Sequence, residues 1–289
     1  MVTQTKQATL GEVVEAYLFD LQAAGRSPLT IESYDSTLRA LVQFLQAQNV
    51  KDWTSISQGI LRQFLAARLG DGLKASTIRQ RATAISCFFN WLVQEGLIDS
   101  NPMLRVRRPQ KPQRLVKPFS RADLLAIFQA VEETFDPIRN KAILSLFLDC
   151  GLRVSELLSL KPSSYDRGTT TLTVKGKGRK VRRLRLGQRS REAFEAHLDR
   201  ANGQLWDVTR ESLADLIHRL GRRVGVHAYP HKFRHTFACR FLDAGGAIDE
   251  LQYLMGHSHI ATTMIYAAAG QEERALRSHA AHSPLDALA

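Results

Sequence analysis

Between residues 101 and 118 the chain carries four prolines (Pro102, Pro109, Pro112, Pro118) and six Lys or Arg without one acid. Proline removes backbone donors and fixes φ, so no regular element runs through such a segment and it is expected to be extended. The interruption divides the chain into residues 1–100 and 119–289, joined by a basic, Pro-rich linker at 101–118. At 289 residues, each part is long enough to bury a core of its own.

The first part reads as four helices. Thr9 and Glu12 make a capping-box pattern ahead of residues 13–21, and Gly25 stops that run. Tyr34, Leu38, Leu41 and Leu45 recur at helical spacing in a second helix. A third covers about residues 57–69 and ends at Gly70 and Gly72. The fourth starts near Ser76, aligns Ile78, Ala82, Ile85, Phe88, Phe89 and Leu92, and stops at Gly96.

The second part opens with Ser120 and Asp123 capping a helix that reaches about Glu132, and Pro137 stands at the first turn of the next. Residues 138–148 are largely apolar and predict a buried helix ending at Gly151. From Thr169 to Leu186 the period changes to two: Thr170, Leu172 and Val174 alternate, Gly176 and Gly178 punctuate, and Val181 and Leu184 follow. That predicts a short hairpin or small antiparallel sheet. Helical spacing returns from Ser190. The expected class is mainly α with a small antiparallel β-sheet.

Forty Lys and Arg against 28 Asp and Glu give a formal charge of +12, which favours a polyanionic partner. No run reaches the 18 or so apolar residues of a membrane span, and the first residues lack the basic start and apolar run of a secretory signal. Cys87, Cys150 and Cys239 are few, odd in number and far apart. They read as small core residues of a reducing compartment, neither disulfides nor a zinc site. The expectation is a cytoplasmic protein that binds double-stranded nucleic acid.

Four short segments carry chemistry. In residues 151–160, Arg153 opens a helix and Glu156, three residues on, is placed to hold its guanidinium. Residues 175–189 hold eight basic groups and no acid, and the glycines place Lys177 at the tip of a β-turn. His231 and Arg234 are spaced i, i+3 behind the Tyr229-Pro230 helix start, so both face one site. Finally, Gly256 closes a helix, His257 lies in the turn, Ser258 caps the next helix, and Tyr266 follows nine residues after His257. Each segment alone has a bland explanation: an ion pair, a solvated loop, a chance pair, a core aromatic. Together they meet one chemical need. Displacement at a phosphodiester requires a nucleophile, cations on the non-bridging oxygens and a proton for the leaving 5′-oxygen. Two arginines, a lysine, two histidines and a tyrosine can supply these without metal, and neither a carboxylate cluster nor a GxxxxGK[ST] loop is present.

In order and spacing, Arg153, Lys177, His231-x-x-Arg234, His257 and Tyr266 closely resemble the tyrosine recombinases of the phage integrase family, nearest to the compact Xer-type enzymes. The resemblance implies a four-helix core-DNA-binding domain followed by a catalytic domain whose last helix is exchanged between protomers. It implies that Tyr266 attacks the scissile phosphate to form a 3′-phosphotyrosyl link, and that Arg153 and Arg234 bind the non-bridging oxygens. Lys177 would protonate the 5′-oxygen, His231 would act as base toward the tyrosine, His257 would hydrogen-bond the phosphate and Glu156 would orient the first arginine. The basic residues expected to touch DNA are Arg105, Arg107, Arg108, Lys111 and Arg114 in the linker, with Lys175, Arg179, Lys180, Arg182 and Arg183 around the β-turn. The resemblance further implies a specific core site, a dimer on each site, a tetramer across two, association with the nucleoid, and no metal or nucleotide cofactor. A type IB topoisomerase-like activity and a catalytically silent DNA-binding regulator are the alternatives.

Overall fold

The computed structural model describes residues 8–109, 117–176 and 180–267, together with Ala275, Leu276 and His279. The chain divides into two compact units, residues 1–113 and 114–289.

The first unit contains α1 (Leu10–Ala23), α2 (Pro28–Ala47), α3 (Gln58–Gly70) and α4 (Ala75–Gln94). The Thr9 hydroxyl accepts from the Glu12 amide at 3.2 Å and the Glu12 carboxylate accepts from the Thr9 amide at 2.7 Å, so the expected capping box forms. Phe88 and Phe89 of α4 are fully buried and pack against Trp53 from a short 3-10 turn, while Phe88 also meets Tyr17 of α1. The start of the expected linker differs from the sequence reading. Asn101 caps a 3-10 turn, Pro102–Arg105, and donates from its side chain to the Ser86 carbonyl and the Asn90 side chain. Met103 and Val106, three residues apart on this turn, are buried in the core of the first unit. Burial of two apolar side chains outweighs the tendency of a Pro-rich segment to stay extended. Residues 110–116 lie outside the described residues.

The second unit begins with α5 (Arg121–Val131) and α6 (Pro137–Cys150). Helix α6 is the centre of its core, with Ala142, Ile143, Leu144, Leu146 and Phe147 fully buried. A one-turn helix α7 (Val154–Leu158) leads into a three-stranded antiparallel sheet of β1 (Tyr165–Asp166), β2 (Thr171–Lys175) and β3 (Val181–Arg185), in that order. The register pairs Leu172 with Leu184 and Val174 with Arg182. These four side chains therefore share the buried face, and Val181 points outward, 56% exposed. Helices α8 (Gln188–Leu198), α9 (Arg210–Arg223), α10 (Pro230–Asp243), α11 (Ile248–Met255) and α12 (Ala261–Ala267) follow. Phe237, Ala238, Cys239 and Leu242 of α10 make a small second core with Leu251, Met255 and Tyr266.

Helix α12 starts later than a Ser258 cap predicts. Its first turn is closed by the carbonyls of His259 and Ile260, and Ser258 instead accepts from the Lys180 ammonium at 3.4 Å. Cys150 and Cys239 are buried, Cys87 is half-buried, and all three are free thiols. Among the described residues no helix is long and apolar enough to cross a membrane.

Candidate active site

Gly151 ends α6 in the left-handed conformation (φ +57°), and a Cβ there would lie 2.4 Å from Phe237 Cδ1. Glycine is thus required twice, by the backbone and by the close approach of α10. The turn it makes places Arg153 at the N-cap of α7 and aims the Gly151 carbonyl at Arg234, whose Nη1 donates to it.

Arg234 projects from α10 and is only 1% exposed. Its Nη2 donates to the Met255 carbonyl at 2.6 Å and meets His257 Nε2 at 3.0 Å. Arg153, with 38% of its side chain exposed, reaches the same Met255 carbonyl at 3.4 Å and pairs with Glu156 Oε1 at 2.7 Å. Met255 is the last residue of α11, whose terminal carbonyls carry the negative end of the helix dipole and have no partners within the helix. Guanidiniums supply them.

Glu156 is the hub of this cluster. It is buried, and it accepts from the Arg153 amide at 2.8 Å and from both terminal nitrogens of Arg182 at 3.0 Å each, with Arg234 3.8 Å away. Burial pushes its carboxyl up, but Arg182 and then Arg153 overcome that and hold it at about 2. Burial and the neighbouring Arg153 bring Arg234 down to about 10, where it is still charged at neutral pH. Among the described residues of this cluster, three guanidiniums against one carboxylate leave a net charge of +2 (3 − 1).

His257 is held by its neighbours in one state. Arg234 has only donors, so His257 Nε2 must present its lone pair, and the ring proton sits on Nδ1, 2.9 Å from the Thr263 hydroxyl. Burial, Arg234 and Arg153 keep this imidazole neutral, with its pKa down at about 4. His231, on the first turn of α10, is exposed, and desolvation together with Arg234 and His235 lowers its pKa below the ordinary histidine value.

Tyr266 on α12 is 3% exposed. Its ring lies parallel to His257 at 6.3 Å between centroids and 5.1 Å from His235. Burial raises the phenol pKa, while Arg234 and Arg153 pull against it.

Of the residues expected in the site, Arg153, Glu156, Arg234, His257 and Tyr266 therefore converge, and His231 stands beside Arg234 on the same helix. Lys177 lies outside the described residues, as do Arg179, Lys111 and Arg114. Arg105, Arg107, Arg108, Lys175, Lys180 and Arg183 are exposed. Arg182 does not fit its expected place on a DNA-facing surface. It is 5% exposed and its guanidinium is occupied by Glu156, because the alternation of β3 turns it inward with Leu184. The sequence reading also passed over Thr263 and His235, both buried against the site. Among the described residues no group of three His, Cys, Asp or Glu side chains is placed to hold a metal ion.

Comparison with known proteins places this geometry in a family. Residues 118–273 match the phage integrase family and residues 14–96 match its N-terminal SAM-like domain. Tyrosine recombinase XerC of Chromohalobacter salexigens is 34% identical over 88% of this chain and 89% of its own length. The XerC of Escherichia coli O157:H7 is 30% identical over 88% of this chain and 90% of its own. Among solved structures, the XerH site-specific recombinase bound to its palindromic difH substrate superposes with a TM-score of 0.74 at 19% identity, covering 96% of this chain and 84% of that one. A lambda integrase fragment bound as a dimer to a COC′ core site gives 0.73 at 18% identity, covering 88% and 97%. With both domain models matched in order and relatives of 30% identity or more spanning most of its length, the chain belongs to the phage integrase family of tyrosine recombinases.

Proposed function

We propose that this protein is a site-specific, Xer-like DNA recombinase that cuts and rejoins strands through a 3′-phosphotyrosyl intermediate on Tyr266, without metal or ATP. The observation that carries the reading is the convergence of Arg153 and Arg234 on the Met255 carbonyl, with His257 and Tyr266 packed beside them. A phosphodiester enters with one negative charge and acquires a second in its five-coordinate transition state. The pocket's net +2 matches the transition state better than the ground state, which is the condition for accelerating the step.

In the forward step the Tyr266 oxygen forms a bond to phosphorus as the bond to the 5′-oxygen breaks. The phenol proton passes to His231, whose lowered pKa keeps it neutral and able to accept. Lys177 delivers a proton to the departing 5′-oxygen. Arg153 and Arg234 exchange their carbonyl partners for the non-bridging oxygens, and His257 then carries its proton on Nε2 to donate to the phosphate. Thr263 permits that change, since its hydroxyl can accept from Nδ1 or donate to it. Attack by another strand's 5′-hydroxyl reverses the sequence, and the ester bond retains the energy for ligation.

The substrate in this reading is double-stranded DNA with a specific core site, bound by a dimer at each site and a tetramer across two, in the nucleoid of the cytoplasm. The Lys/Arg excess and the exposed Arg105, Arg107, Arg108, Lys180 and Arg183 support the DNA partner. The C-terminal segment, read as the helix that joins protomers, is described only at Ala275, Leu276 and His279, all exposed. Sheared genomic fragments incubated with the protein and resolved under denaturing conditions test the reading. The wild type should give a protein–DNA adduct that resists excess chelator, and Tyr266→Phe should bind DNA yet give none. An adduct from the Phe variant, or one that needs added magnesium, refutes it.

A further inference from the structure

Arg182 is a residue of β3 whose position would suit an aliphatic side chain. Its neighbours on the buried face are Leu172, Val174 and Leu184. A guanidinium is retained in such a place only if its donors are satisfied, since an unpaired buried charge costs several kcal/mol. The two terminal nitrogens clamp Glu156 at 3.0 Å each, and Nε donates to the Leu254 carbonyl at 2.7 Å. The Gly256 Cα packs so closely on the guanidinium that a Cβ there would stand 3.1 Å from Nη1. Gly176, which follows β2, lies within ordinary van der Waals reach: a Cβ there would stand 3.7 Å from Glu156 Oε1 and 3.8 Å from Arg182 Nη1.

One side chain therefore bonds or lies close to three separate segments: the end of β2 at Gly176, one residue before Lys177 in the sequence, the helix that Arg153 caps, and the α11–α12 corner that carries His257. Each contributes a group to the proposed chemistry, and no two of them are neighbours in sequence. We propose that Arg182 is a positioning residue: it holds Glu156, and through Glu156 and the Leu254 carbonyl it sets Arg153, Arg234 and His257 in register, without itself touching DNA. The inference rests on the recombinase reading above. Planarity matters here, because a bidentate fork fixes a carboxylate's orientation where an ammonium gives only a point charge. Lysine at this position keeps the charge and loses the orientation.

The test uses the full chain and a nicked duplex carrying the core sequence at which the wild type becomes covalently joined in genomic fragments. Arg182→Lys should bind this duplex within about threefold of wild type and with the same salt dependence, since no phosphate contact is lost. Its single-turnover cleavage should be slower by about tenfold or more. In a Glu156→Gln background the same change should add less than about threefold, because the arginine acts through that carboxylate. Thermal unfolding monitors the fold, and Arg182→Gln is the second variant should Lys repack. Cleavage at the wild-type rate, multiplicative effects in the double variant, or a salt slope reduced by about one, as for a lost phosphate contact, each overturns the proposal. Tyr266→Phe is run alongside. An adduct that survives there refutes the recombinase reading and this inference with it; an adduct lost there but undiminished in Arg182→Lys refutes the role of Arg182 alone.

Discussion

Replacing Glu156 with Gln removes the one negative charge among three guanidiniums and leaves the steric outline almost unchanged. Arg182 and Arg234, 5% and 1% exposed, then have no ion-pair partner among the described residues, and the amide presents donors where the carboxylate presented acceptors. The magnitude follows from the carboxyl itself. Folding takes it from an ordinary 4.5 to about 2, and at about 1.36 kcal/mol per pH unit that displacement is worth about 3 kcal/mol. Breaking a buried pair by removing one partner costs about 3–5 kcal/mol by general experience, which agrees. A carboxyl whose pKa falls on folding stabilises the fold above its unfolded value, and that contribution is lost as pH drops toward the folded value. The window here runs from about 4.5 down to about 2. Urea titrations of wild type and Glu156→Gln should therefore differ by about 3 kcal/mol at pH 7, and by about 2 kcal/mol less near pH 3, where linkage has removed most of the advantage. A difference under about 1 kcal/mol at pH 7, or one as large near pH 3 as at pH 7, would show that Glu156 is not the electrostatic hub described here.

Two further outcomes follow from the site's supports. Thr263→Val is nearly isosteric and leaves His257 Nδ1 without its hydroxyl partner, so cleavage should slow by about ten- to a hundredfold, a barrier change of about 1–3 kcal/mol, in a protein that melts near the wild-type temperature; an unchanged single-turnover rate contradicts the tautomer assignment. Gly151→Ala forces an L-residue to φ +57° and a Cβ to within 2.4 Å of Phe237, so thermal unfolding should show a loss of about 2 kcal/mol or more, with lower activity because the Gly151 carbonyl also receives Arg234. A melting point equal to wild type would mean that α10 relaxes away at no cost.

The helices were legible because local rules and the tertiary core agree. The Thr9–Glu12 and Ser120–Asp123 boxes, Pro137 and Pro230 at first turns, and Gly25, Gly96, Gly151 and Gly256 at φ > 0 all punctuate the chain where its apolar stripes begin and end. Asn101–Val106 misled, since four prolines and a basic surplus signal an extended strap while two apolar side chains among them found a core to enter. Arg182 misled for the opposite reason. Strand alternation does place it with Leu184, but its charge argued for solvent, and it is Glu156 and the Leu254 carbonyl, from across the fold, that satisfy an inward arginine.

By itself, then, the sequence marked most of the helices, the two-part organisation and the candidate set Arg153, His231, Arg234, His257 and Tyr266, because capping, periodicity and motif spacing are properties of short stretches of chain. Only the tertiary structure decided which groups share partners: that Met255's carbonyl receives two arginines, that Glu156 receives Arg182 from a strand 26 residues away, and that Arg234 fixes the tautomer of His257. Those pairings depend on burial and on distances of about 3 Å between segments remote in sequence, where the strength of a charge or hydrogen bond is set by how far water is excluded.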